Sequence, residues 1–252
     1  MSSSIFCPIE SREALEAAAA GMVAHLGMSR EDAFTHLHQC MGIICERVED
    51  ASAEALADEL YRHGLKPLLK DDGAVLRPPR AVRCIGLQVR PNVVRIFYDE
   101  HFEDLPRGSL LLLSCGRVVV RRPGTAPRKQ ASDVRTLFHA GAGVRGATPD
   151  ADKSDSFQQG AVVEQRVHHF LDLYAAPGGD LRHLRADRDR IHYSTSLDEP
   201  SGDLVVDFQR LIERLERHLG PILAISDRTF HGVPDFERHN RFLLNYPWQS
   251  GR

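Results

Sequence analysis

The sequence predicts an α+β protein: a small α/β domain, then an antiparallel barrel-like β domain closed by a C-terminal helix. Three observations carry this reading. Apolar residues recur at helical spacing as far as residue 64. A glycine followed by a proline pair, Gly73 to Pro78-Pro79, then punctuates the chain. Beyond it, short β-branched runs separated by turn dipeptides lead into one long amphipathic stripe. The boundaries that follow are 1–72 for the α/β domain, 73–80 for a linker, 81–220 for the β domain with its helix, and 221–252 for an aromatic-rich C-terminal extension.

Arg12 to Leu26 is alanine-rich, which favours helix. Ser29 followed by Asp32 is a near capping box, and behind it Ala33, Phe34, Leu37 and Met41 keep helical spacing. Ile43-Ile44-Cys45 reads as a short apolar link. Asp50 or Ser52 starts a third helix through Leu56, Leu60 and Tyr61, Gly64 stands at its C-terminal cap, and Leu65 to Leu69 is a strand.

The segments Gly27-Met-Ser-Arg-Glu-Asp-Ala33, Ile44-Cys-Glu-Arg-Val48 and Ala53 to Lys66 resemble, without a gap, the C-terminal domain of the bacterial ribosomal stalk protein. That family reads Gly-Leu-x-x-x-x-Ala, then Val-Lys-Glu-x-Val, then a helix ending Leu-x-x-x-Gly-x-Lys. The resemblance implies a small unit of helices packed on a short sheet, with Ile5 to Ile9 as its first strand. The family recruits translation factors through lysine-rich helix surfaces. Here the equivalent helices carry Glu31, Asp32, Glu54, Asp58 and Glu59, a surface of opposite sign, so the resemblance implies the fold and not the activity.

After the linker, Val82 to Val89, Val93 to Tyr98, Ser109 to Ser114 and Arg117 to Arg121 read as strands, with Pro91-Asn92 and Cys115-Gly116 as hairpin turns. Residues 122–160 carry few order signals and read as a long loop. Val167 to Tyr174 alternates, Pro177-Gly178-Gly179 turns, Leu181 to Arg185 returns and Ile191 to Thr195 follows. Leu204, Val205, Phe208, Leu211, Ile212, Leu215 and Leu219 form one apolar stripe, started by Ser201 or Asp203 and stopped at Gly220-Pro221. Antiparallel strands closed by one such helix are similar in outline to a pleckstrin-homology-like barrel, and the whole plan is similar to uncharacterised bacterial proteins that pair such modules. Neither likeness implies an activity.

Charge is uneven. Residues 1–76 hold 6 basic against 13 acidic side chains, and residues 77–135 hold 12 against 5. The expectation is a basic middle segment facing an acidic first domain. Nucleic acid is the competing partner, through Arg77, Arg80, Arg83, Arg90 and Arg95, but only Phe97 and Tyr98 are there to stack bases. No run approaches the ~18 apolar residues of a membrane helix. The Met1-Ser-Ser-Ser-Ile-Phe-Cys-Pro opening lacks a secretory pattern, and five cysteines without framework spacing suit a reducing compartment. The expectation is a cytoplasmic protein that does not enter a membrane.

No residue is assigned a catalytic, cofactor-binding or metal-binding role. Gly141-Ala-Gly143-Val-Arg-Gly146 matches a dinucleotide-binding string, but Ala-Thr-Pro-Asp follows it where a helix is required. His36, His38, Cys40 and Cys45 lack the two close pairs of a zinc site, and on a helix His38 points away from His36 and Cys40. His168 and His169 fall on opposite faces of a strand. Neither Ser114 nor Ser226 sits in a nucleophile elbow. The extension holds Phe230, Phe236, Phe242, Tyr246 and the single tryptophan, Trp248, and is expected to dock in cis on the second domain. The function these observations imply is a non-catalytic interaction or scaffold protein with an unidentified protein partner; the alternatives are an enzyme with an inter-domain site, or a nucleic-acid module using residues 77–135.

Overall fold

Serine-rich and polar by composition, the N-terminus is nevertheless the central strand of a sheet. A computed structural model describes residues 2–123, 163–219 and 222–246 of the chain. The chain divides into two units, Met1–Val120 with Val167–Arg252, and Arg121–Arg166. The second contributes only the ends of two strands to the described residues. Of the loop expected over 122–160, residues 122 and 123 end a strand and the remainder, with the G-x-G-x-x-G string and Trp248, lies outside the described residues.

Strand β1 (Ser2–Phe6) pairs antiparallel with β2 (Ile43–Glu49) on one side and β3 (Leu68–Asp71) on the other. The first strand thus lies earlier than the expected Ile5 to Ile9. Buried Ser3 and Ser4 are tolerated because Asp50 and Asp72 accept their hydroxyl protons at 2.8 and 2.5 Å. The apolar link expected at Ile43–Cys45 is instead the start of a seven-residue strand, with a register shift opposite Ser3–Ile5 and Arg47 in left-handed conformation (φ 55°). Three helices cover one face: α1 (Arg12–Leu26), α2 (Arg30–Gln39) and α3 (Asp50–Arg62). Ser11 and Ser29 cap the first two by accepting from Ala14 N and Asp32 N, each at 3.1 Å. Met22, Leu37, Ile44, Leu56 and Leu60 form the core between helices and sheet.

The remaining strands make an open mixed sheet and a three-stranded meander. The sheet has the order β11 (Leu223–Phe230), β8 (Leu110–Pro123), β9 (Val163–Ala175), β10 (Arg182–Asp187), β4 (Val82–Cys84), with both outer pairs parallel. The meander is β5 (Gly86–Val89), β6 (Val93–Phe97) and β7 (Phe102–Pro106), all antiparallel. The α+β class is as expected, but the described strands do not close into a barrel.

Three further expectations change. Val82 to Val89 is two strands in different sheets, broken at Ile85, whose N–H donates to Phe97 O and whose carbonyl accepts from His192 N. Cys115-Gly116 is not a turn: β8 runs straight through it. A Cβ on Gly116 would lie 2.5 Å from the Phe236 ring, so the glycine is there for close approach rather than for bending. Ile191 to Thr195 is not a strand; it leads into the short helix α4 (Tyr193–Ser196).

Helix α5 (Leu204–Leu219) buries Phe208, Leu211, Ile212, Leu215 and Leu219 against the meander and the near face of the sheet. Its stripe starts one turn later than the periodicity predicts: Leu204 and Val205 are 44% and 61% exposed. The inward position of that first turn belongs to Asp207, which accepts from Ser201 N, Ser201 Oγ and Gly202 N. The far face of the sheet is covered by α6 (Val233–Asn245), formed by the expected extension.

Candidate functional site

Alternation along β9 and β10 sorts their side chains strictly. Leu171, Leu173, Leu184 and Ala186 enter the α5 core, while Phe170, Asp172, Tyr174, His183 and Arg185 face α6. Asp172 is completely buried. Arg185 Nε and Nη2 reach its two oxygens at 2.7 Å each, His183 Nε2 donates at 2.8 Å, Asn240 Nδ2 at 3.1 Å and Tyr174 OH at 3.3 Å. Ser114 Oγ donates to Asn240 Oδ1 at 2.7 Å. Burial opposes ionisation of Asp172, but the hydrogen bonds and charges of Arg185 and His183 outweigh it and hold the carboxyl below its usual range. The Arg185 guanidinium also stacks over Phe170 and pairs with Glu237 at 3.1 Å.

This cluster concentrates titratable groups, yet its hydrogen bonds are spent inside the protein. Chemically it can hold α6 on the sheet with one orientation, since a buried carboxylate this fully satisfied admits few alternative partners. Phe236 completes the contact by packing on Phe230, Val118 and Phe170.

The other face of α6 packs on residues of β1 to β3 and the α2–β2 turn. Phe242 packs with Phe6, Ile43 and Val75, and a Cβ on Gly42 would sit 2.6 Å from its ring. Arg241 pairs with Glu46 at 2.5 Å, Arg238 donates to Gln39 O at 2.5 Å, and Tyr246 OH donates to Lys66 O at 3.0 Å. The extension docks in cis as expected, but Phe242 packs on Phe6, Ile43 and Val75 rather than on residues 81–220.

Beside this helix, walled by α1, the α2–β2 turn and β11, lies a cavity of about 560 Å³. Its apolar surface comes from Leu15, Leu37 and Phe242; its polar groups include Arg228 on β11 and His239 on α6. Burial, and then the nearby Arg228, push the His239 imidazole down to about 4. The turn from α2 to β2 forms one wall, with Met41 and Gly42 both left-handed (φ 50° and 92°).

The residues weighed from sequence do not converge. His36 Nε2 lies 2.8 Å from Ile44 O, His38 is exposed, and Cys40 Sγ donates to Leu37 O. Burial pushes the Cys45 thiol up to about 11 and that of Cys40 in the same direction. Among the described residues no group of three or more potential ligands is placed to hold a metal ion. His168 pairs with Asp187 at 3.0 Å, while His169 lies edge-on to Phe208 on the opposite face. In the basic stretch, Arg95 forms a two-pronged pair with Asp104 at 2.7 Å and covers Phe102, and Arg77 pairs with Asp72 at 3.2 Å. Arg77 of the basic stretch and Arg241 of α6 each reach a carboxylate of residues 1–76, Asp72 and Glu46 respectively. No helix among the described residues is long and apolar enough to cross a membrane. Compared with protein-family models, curated proteins and solved structures, the chain matches none.

Proposed function

We propose that the chain is a non-catalytic, cytoplasmic interaction or scaffold protein in which α6 locks a stalk-like α/β module to a β module. The observation that carries this reading is the use to which the Asp172 cluster is put: the densest set of titratable side chains is spent on holding α6 in place. The β-α-α-β-α-β order of residues 2–71 supports the stalk-like description. Packing of α5 between meander and sheet supports the barrel-like outline. A partner-facing surface is offered by Leu204, Val205 and Val206, three adjacent apolar residues that are 42–61% exposed at the start of α5. The nucleic-acid reading is weaker, because Arg77 and Arg95 already have carboxylate partners.

Affinity capture with the full chain tests this. A protein retained by the wild type and lost from Val205→Asp/Val206→Asp supports it; the same set of proteins on both, or none on either, contradicts it. The enzyme reading draws on one observation, the cavity beside His239.

A further inference from the structure

The cavity beside His239 has the size of a small-molecule site, since such pockets run from about 300 to 1,000 Å³. Its walls are unequal in character. Leu15, Leu37 and Phe242 offer apolar surface, the latter two buried. Of its two arginines, Arg12 is already engaged by Glu16 one helical turn away, at 3.1 Å. Arg228 has no carboxylate partner among the described residues, and its backbone N–H alone is engaged, by Ser226 Oγ. The single acid in the wall, Glu10, is exposed. His239 lies against the Phe230 ring at 5.2 Å, and its ring nitrogens have no hydrogen-bond partner among the described residues.

A guanidinium without a carboxylate, an unpartnered imidazole and an apolar floor in one cavity define a ligand by complement. We propose that this cleft binds a small organic anion, with its charged group on Arg228 and His239 and its apolar body against Leu15, Leu37 and Phe242. A guanidinium offers paired N–H donors matched to carboxylate or phosphate oxygens, and an imidazole N–H adds a third donor. The depressed affinity of His239 for protons points the same way: after burial, its second cause is the positive field of Arg228, which an anion would neutralise. The left-handed Met41-Gly42 turn is a conformation non-glycine residues seldom hold, and it fixes the wall facing α6. The inference is independent of the interaction reading and asserts binding without a reaction.

Phenyl phosphate is a suitable probe, titrated into the full-length protein and followed by amide and histidine-ring NMR. Saturable shifts are expected at Leu37, Gly42 and the His239 ring. Arg228→Ala, at an exposed position, is expected to weaken binding about tenfold with the amide spectrum away from the cavity unchanged, as is His239→Gln. Benzyl alcohol, with the ring but no charge, and inorganic phosphate, with the charge but no ring, are each expected to bind at least about tenfold more weakly. Inorganic phosphate binding as tightly as phenyl phosphate would overturn the apolar half of the inference. Binding unchanged in Arg228→Ala, shifts confined to other surfaces, or no saturation would overturn the inference as a whole.

Discussion

Asn245, at the end of α6, occupies both hydrogen-bonding groups of Leu76, in the segment between β3 and β4. Its Oδ1 accepts from Leu76 N at 2.8 Å, and its Nδ2 donates to Leu76 O at 2.9 Å. The same Oδ1 accepts from Lys70 Nζ at 3.1 Å, and the second Nδ2 proton goes to Arg241 O. All the amide's capacity is used, and the side chain is 4% exposed. Asn245→Leu should therefore cost about 2–4 kcal/mol, because two backbone groups and an ammonium lose partners in a closed site. Urea unfolding measures this; an unchanged midpoint would mean that the contact is not formed in solution.

Gly116→Ala should be destabilising by about 1–3 kcal/mol, since β8 and the Phe236 ring must separate. Phe236→Leu should recover part of that loss when combined with it. Strict additivity of the two changes in thermal unfolding would show that glycine and ring do not meet.

Asp172→Asn removes the charge that balances Arg185, and the expected loss is about 3–5 kcal/mol. Replacing both, Asp172→Asn with Arg185→Met, should be milder than the single change, because no buried guanidinium is left with only the half-exposed Glu237 to balance it. A double variant less stable than the single would refute the pairing.

Acid sensitivity follows from His239. Its pKa falls from 6.5 to about 4 on folding, so between these values the unfolded chain binds more protons than the folded one. Stability should rise with pH across that window and be lost on acidification from about 6.5 towards about 4, by about 2–3 kcal/mol. His239→Gln should flatten this limb of the profile in urea unfolding; an identical slope in both proteins would contradict the assignment.

Helices α1 to α3 were legible because their signals are local: alanine content, Ser11 and Ser29 as caps, Gly64 as a stop. The serines of β1 looked unlike a strand because Asp50 and Asp72, which satisfy them, lie 47 and 68 residues away. Gly116 was misleading because a glycine that bends a chain and one that admits a ring look alike in sequence. The Asp172 cluster had a faint signal, the polar-or-aromatic alternation Phe170-x-Asp172-x-Tyr174 and His183-x-Arg185, but Ser114 and Asn240 stand 126 residues apart. The charge segments foreshadowed Arg77–Asp72 but not Arg241–Glu46, whose partners stand 195 residues apart.

Native-state hydrogen exchange tests most directly whether α6 is the clamp between the two modules. Amides of Asn240 to Asn245 should exchange as slowly as those of Leu171 to Tyr174 in β9, opening only with the whole fold. Exchange of the α6 amides at the rate of a frayed terminus, while β9 stays protected, would contradict it.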